Sequence, residues 1–297
     1  MKNFYHVFSK GDNARNLVIC RNDFSFIFNR IAVCSFLSDV DILAFSIEET
    51  HLHFLICCSA DQCKMFCNRM ESCIKLHICR NRKSLDGVKF KLKSEMIEDK
   101  NYLMSVAGYV TVQATKDGKG IMPYDYIWGT GSMYFRRQEH VPIWETANNG
   151  QRLPVKEFRS LTWREKHAIC GSAKELPPWW RICNGLILPD NYVDVKAFET
   201  IFGSANSFRV CGAASRKALQ EVDARIANIQ GINIDDMEAR EICRNICIKK
   251  FGTEDVRMLS PDQRMRLAME LRRNQGFSIR QIATLARISE DDVRDFC

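Results

Sequence analysis

Along the first hundred residues the spacing of apolar positions switches repeatedly between a period of two and a period of three to four. "FYHVFSK" (4–10) predicts a strand, and "NDFSFIFNRIAVCSFLSDV" (22–40), with Phe and Ile at helical spacing, predicts a helix. "DILAFSIEE" (41–49) and "THLHFLICC" (50–58) are rich in β-formers and meet at polar residues, the pattern of two strands with a tight connection. "SADQCKMFCNRMESCIKLHICRN" (59–81) predicts a second helix capped by Ser59, and "GVKFKLKSEMI" (87–97) a strand with alternating lysines. Strand, helix, strand, strand, helix, strand is the order of the ferredoxin-like split βαβ arrangement, an α+β fold with an antiparallel sheet and helices on one face.

A third helix follows over 98–118, with Glu98 or Asp99 as N-cap and Gly118 as its stop. The next stretch, "KGIMPYDYIWGTGSMYFRR" (119–137), is rich in Gly, Pro and aromatics and is expected to wrap back over the core. These signals divide the chain into an N-terminal domain (1–140), a mainly helical middle region (141–252) and a C-terminal module (253–297). In the middle region Pro177 and Pro178 precede Trp179 and Trp180, whose expected role is core packing, and "SRKALQEVDARIANIQ" (215–230) has helical spacing. The C-terminal module opens with Ser260 as N-cap and Pro261 at the first helical position, then turns at "GFS" and "RIS" into "IRQIATLA" and "EDDVRDFC". Three helices with two short turns predict a helix-turn-helix.

With 297 residues, 46% of them hydrophobic, the chain has room for one large core or two to three small ones. The net charge of +7 favours a polyanionic partner, nucleic acid first. Fourteen cysteines in a chain of this length, without a secretory-type opening, read as reduced thiols of a cytoplasmic protein. Cys63, Cys67, Cys73 and Cys79, with His77 among them, lack the paired short knuckles of a structural zinc site and read as buried thiols on a helix face. No apolar run approaches the ~20 residues that cross a bilayer, so no membrane partner is expected.

His51 and His53 stand two apart in a predicted strand, so both imidazoles project to one side about 7 Å apart, close enough to hold one ion. Taken alone, the pair is better explained by two solvated histidines on a strand face; a metal site needs a third donor. The helix over 98–118 offers one, because Tyr109 and Gln113 stand four apart on a single face. Gln113 carries an amide oxygen and Tyr109 a nucleophilic hydroxyl. Two imidazoles and one amide oxygen leave open coordination positions for a phosphate oxygen.

Taken together, "YHVFSKGDN", "AFSIEETHLHFLI", "FKLKSEMIEDKNYLMSVAGYVTVQATKDG" and "PYDYIWGTGSMYF" occur in the order and at the spacing of a known family. The chain resembles the single-tyrosine HUH transposases of the bacterial insertion sequence two-hundred type, and most closely the REP-associated tyrosine transposases, over roughly residues 4–137. The resemblance implies a ferredoxin-like HUH nuclease domain, His51, His53 and Gln113 as ligands of Mg²⁺ or Mn²⁺, and Tyr109 as nucleophile. It also implies cleavage of single-stranded DNA at hairpin-ended elements through a 5′-phosphotyrosine, whose retained bond energy lets a 3′-hydroxyl rejoin strands without ATP. Family members occur as monomers and as homodimers that exchange the catalytic helix. Two departures stand out: Gln113-Ala114 where relatives often have Asn-Pro, and Glu48-Glu49-Thr50 where they tend to have Met-Pro-Asn.

Lys89, Lys91 and Lys93 alternate along the strand before the catalytic helix and are candidates for tracking phosphates, as are Arg280, Gln281 and Arg287 in the C-terminal module. The acidic start of the last helix, Glu290, Asp291 and Asp292, suits it poorly to base reading. A second reading is a domesticated regulator that binds hairpin or single-stranded DNA with the same fold and little cleavage.

Overall fold

A computed structural model describes residues 2–9, 17–82, 90–116, 122–136, 141–147, 149–171, 176–214, 222–223, 225–226, 236–273, 277, 279–289 and 291–293. The chain is α+β and divides into two compact units, Met1–Val222 and Asp223–Cys297.

The first unit is built on strands β1 (Asn3–Ser9), β2 (Asp41–Ile47), β3 (Leu52–Cys58) and β4 (Leu92–Ile97) with helices α1 (Arg21–Ser38), α2 (Ala60–Arg82) and α3 (Lys100–Lys116). The sheet is antiparallel throughout, in the order β2-β3-β1-β4. Its pleat sorts side chains onto two faces. Phe45 and Phe54, opposite each other on β2 and β3, point to the face covered by α1 and α2, where Phe28 meets Phe45 and Phe66 meets Phe54, each at a centroid separation of 5.5 Å.

The expectation of helices on one face is corrected by α3. It lies over the opposite face, its Tyr109 ring 5.2 Å from that of His53 and 6.0 Å from that of His6. The sheet is therefore buried on both sides, which explains why β2 and β3 are apolar almost throughout instead of alternating.

The caps expected from the sequence are in place. Ser59 accepts from the Gln62 N–H, and Asp99, the N-cap of α3, accepts from the Tyr102 N–H at 2.7 Å. Gly118 lies outside the described residues, as do residues 87–89 of the fourth expected strand. Residues 126–134 do wrap back: Trp128 and Thr130 pair with the exposed edge of β2 at Ile47 and Phe45, and the Tyr126 hydroxyl donates to the Ile47 carbonyl. The same edge receives the Asp194 N–H at Ile42, so little of it is left open to another chain.

The described part of the middle region carries strands beside its helices. Between 155 and 187 it forms a three-stranded antiparallel sheet from β5 (Val155–Glu157), β6 (Arg181–Cys183) and β7 (Leu186–Ile187), accompanied by α4 (Trp163–Cys170), α5 (Val195–Phe202) and α6 (Ala205–Ala214). The β6–β7 turn is Asn184-Gly185 with both φ angles positive, 47° and 76°, the backbone that a two-residue hairpin requires. Two polar residues of α1 bind this region to the N-terminal sheet. Asn29 donates to the Gly185 carbonyl and accepts from the Ile187 N–H, and the buried Arg30 guanidinium donates to the Ile169 and Cys170 carbonyls that end α4. These bonds explain why the first unit runs to Val222 and not to a boundary near 140. Trp180 is buried as expected, whereas Trp179 is 67% exposed. The helical stretch 215–230 lies almost wholly outside the described residues.

The second unit contains α7 (Asp236–Phe251), α8 (Pro261–Arg273) and α9 (Ile279–Ala286), packed around Cys243, Cys247, Leu267, Leu271, Ile282, Ala286 and Val293. Ser260 caps α8 by accepting from the Gln263 N–H, while the Gln263 side chain accepts the Ser260 N–H. Ser289 and Asp292 exchange the same pair of bonds, so Asp292 serves as a helix-start residue rather than a contact for bases. Glu290 and 294–297 lie outside the described residues. Among those described, no helix is long and apolar enough to cross a membrane.

Candidate active site on the face of the sheet under α3

Register places the chemistry-bearing side chains in two adjacent rows across the face under α3. One row reads Lys93, Phe8, His53 and Ser46 across β4, β1, β3 and β2; the next contains Glu95, His6, Leu55 and Ala44. His51, immediately before β3, lies on the same side as His53, with ring centroids 4.9 Å apart and planes nearly perpendicular at 84°. The two histidines and Tyr109 therefore meet within one chain, without a contribution from a second copy.

Each imidazole is held through its Nδ1. That of His51 lies 2.8 Å from the Thr50 hydroxyl, and that of His53 lies 3.2 Å from Nε2 of His6. Ligating histidines are typically oriented in this way by a partner on the second ring nitrogen, so Nε2 is the atom through which His51 and His53 would hold an ion. For His53 to keep a lone pair on Nε2, its Nδ1–H must donate to His6, which therefore has to be neutral. Burial ensures that: His6 is fully enclosed, and loss of hydration pushes its pKa down to about 3. The other ring nitrogen of His6, Nδ1, is buried without a hydrogen-bond partner.

Tyr109 is 4% exposed and Gln113, one turn further along α3, is 3% exposed. The Gln113 Nε2 atom has no hydrogen-bond partner. The two acidic residues before the histidines separate in the structure. Glu49 is exposed, while the buried Glu48 carboxylate accepts a 2.6 Å bond from Ser46, and its N–H donates to the His51 carbonyl across the hairpin turn. Among the described residues, no group of three or more His, Cys, Asp or Glu side chains is placed to hold a metal ion.

Of the basic candidates, Lys93 is half-buried on the same face, separated from His53 by Phe8 of β1; Lys91 is exposed just before β4, and Lys89 lies outside the described residues. In the second unit Gln281 is half-buried on α9 and Arg287 is exposed in a left-handed conformation (φ 55°) at the end of that helix. The Arg280 side chain lies outside the described residues. His77 is engaged elsewhere, 2.8 Å from the Asp23 carboxylate and stacked on Phe26 at 3.9 Å.

Sequence reasoning passed over His6, Ser46 and Thr50. His6 and Phe8 share the i, i+2 spacing of His51 and His53, but only the pairing of Phe8 with His53 reveals that they lie on the same face. Compared with known proteins, the chain matches no family model, no curated protein and no solved structure.

Proposed function

We propose that the first unit is a single-tyrosine HUH nuclease and strand transferase acting on single-stranded, hairpin-bearing DNA, with a ferredoxin-like sheet as its platform and Mg²⁺ or Mn²⁺ as cofactor. The reading is carried by one observation: α3 sets the Tyr109 ring 5.2 Å from His53, whose neighbour His51 is 4.9 Å away on the same strand face. The strand order β4-β1-β3-β2, all antiparallel, supports the ferredoxin-like assignment. The net charge of +7 suits a nucleic-acid substrate.

The donor set fits a hard divalent ion. The unpartnered buried end of the Gln113 amide is the telling atom, because amide nitrogen and oxygen are interchangeable in placement and a carbonyl oxygen there lacks only a cation. When bound by His51, His53 and Gln113, the ion supplies Lewis-acid polarisation of a phosphate oxygen. The Tyr109 oxygen forms a bond to phosphorus, the bond from phosphorus to the 3′-oxygen breaks, and the phenolic proton is lost as the leaving oxygen gains one. Lys93 adds positive charge beside the strand, and neutral His6 keeps His53 oriented. In the second unit, α8 and α9 act as a helix-turn-helix that adds affinity for the duplex part of the hairpin.

One feature favours the alternative of a DNA-binding regulator with little cleavage. At 4% and 2% exposure, Tyr109 and His53 are enclosed, so a strand must displace their cover before attack. Incubation with hairpin-bearing single-stranded DNA and Mn²⁺ separates the two readings. A denaturant-resistant protein–DNA adduct that vanishes in Tyr109→Phe is expected; an adduct that persists in Tyr109→Phe rejects the mechanism, and DNA binding without adduct in the wild type selects the regulator.

A further inference from the structure

On the flank of α3 turned away from the sheet, a cleft of about 730 Å³ opens between the turn at Pro123–Asp125, residues 131–136 and the start of α6. Gly131 lets this layer approach the catalytic helix: a Cβ there would sit 2.6 Å from the Pro123 carbonyl oxygen and 3.0 Å from that of Thr111, midway between Tyr109 and Gln113.

The cleft combines features that packing alone does not account for. Tyr124 is 57% exposed on its wall, beside Phe135 and Phe208, whose rings are 5.6 Å apart. Phe135 has a φ of 54°, a left-handed backbone rarely taken by a bulky residue, and is held there by the Glu199 carboxylate, which accepts its N–H at 2.5 Å. Two guanidinium groups, Arg136 and Arg209, and one carboxylate, Asp125, line the cleft. Arg136 lies 5.7 Å over the Trp144 ring and donates through Nε to the Ser132 carbonyl, yet its Nη2 has no partner. Glu145 and Asp190, which also act on Arg136, are both engaged by Arg181. The Ser132 hydroxyl, in a residue only 8% exposed, is likewise unpartnered. A purely structural cluster would bury the tyrosine and pair these donors.

We infer that this cleft binds one nucleotide, its base stacked on Tyr124 and its phosphate held by Arg136 and Arg209. An exposed ring face recognises any base, guanidinium and hydroxyl donors recognise the phosphate, and Asp125 accepts from an exocyclic amine. The nucleotide comes either free from solution or as an unpaired unit of a single strand. The inference does not depend on cleavage at Tyr109, and it is tested with metal removed.

With the full chain in EDTA, calorimetry measures binding of dAMP and of inorganic phosphate, and fluorescence anisotropy measures binding of a labelled ten-nucleotide single strand. The variants are Tyr124→Ala and Arg209→Ala, both at exposed positions and both checked by tryptophan fluorescence for native folding. The expected result is binding of the strand, or of the strand and dAMP, weakened about ten-fold or more by each variant, as loss of a stacking platform predicts. Strand binding without measurable dAMP binding assigns the site to a unit of a longer strand; comparable dAMP binding assigns it to the free nucleotide as well. Unchanged binding in both variants overturns the inference, as does phosphate binding equal to that of dAMP or a wild-type chain that binds neither probe. Loss of the covalent adduct with this binding intact would sink the nuclease reading and leave the cleft standing.

Discussion

His6 sets up a measurable dependence of stability on pH. Its imidazole is fully buried and its pKa falls from 6.5 to about 3 because the interior does not solvate the charged form. The unfolded chain therefore takes up a proton between pH 6.5 and 3 that the native state refuses. Stability contributed by neutral His6 is complete above pH 6.5 and falls as pH drops through that window, by about 1.4 kcal/mol per unit. From pH 6.5, where half of the unfolded chains already carry the proton, to pH 4.5 the loss is about 2 kcal/mol, a sizeable share of the 5–15 kcal/mol typical of a folded domain. His6→Gln cannot titrate, yet it keeps an amide near the position of Nε2 to meet His53 Nδ1. All five tryptophans lie between residues 128 and 180, so their fluorescence during urea unfolding in EDTA reports the first unit alone. Groups common to both proteins cancel in the difference. The wild-type midpoint is expected to fall about 1 to 2 M further than that of His6→Gln between pH 6.5 and 4.5. Parallel profiles over that interval would refute the burial argument, whereas a constant offset at all pH values would mean only that the hydrogen bond to His53 had changed.

Three further outcomes follow from named contacts. Asp99→Ala removes the 2.7 Å cap on the Tyr102 N–H and is expected to cost about 1 kcal/mol in urea unfolding, with most of it restored by Asp99→Asn. Gly131→Ala sets a methyl 2.6 Å from a backbone oxygen that no rotamer change can move, at an expected cost of about 1–3 kcal/mol; a variant as stable as the wild type would show that the cleft layer gives way freely. Replacing Lys91 and Lys93 together by Gln is expected to lower the slope of log affinity against log salt for single-stranded DNA by about 1.4, that is, about 0.7 per phosphate contact, and an unchanged slope removes both from the binding path.

The order of strands and helices in the first hundred residues was legible because periods of two and 3.6 are far apart, and because Ser59 and Asp99 mark helix starts by a mechanism local to the chain. Which face α3 would cover was not legible: nothing in 87–118 records on which side of the sheet the chain turns after β4. The small sheet of the middle region escaped for a different reason. Its strands are two or three residues long, too short for alternation to register, although the dipeptide Asn184-Gly185 is a hairpin signal in its own right. His51, His53 and Tyr109, whose rings the fold brings together, could be grouped from spacing and resemblance. His6 could not, because one histidine in an apolar strand has no meaning until register sets it next to His53.

The position of α3 links the two sites argued for this unit. One side of the helix presents Tyr109 to the histidines of a sheet whose edge and back are both packed; the other side meets the Gly131 layer through the Thr111 carbonyl. A packed helix of this kind does not deform smoothly under a small load but shifts as a body against its neighbours. Filling the cleft, or forcing it apart as Gly131→Ala does, therefore acts on the separation between the Tyr109 ring and His53 without touching either residue. Since attack on phosphorus needs the phenolic oxygen placed to within a fraction of an ångström, the rate of adduct formation is the quantity most sensitive to that shift. Gly131→Ala should accordingly slow adduct formation by a larger factor than it weakens DNA binding; equal losses in the two would mean that the cleft and the tyrosine are mechanically independent.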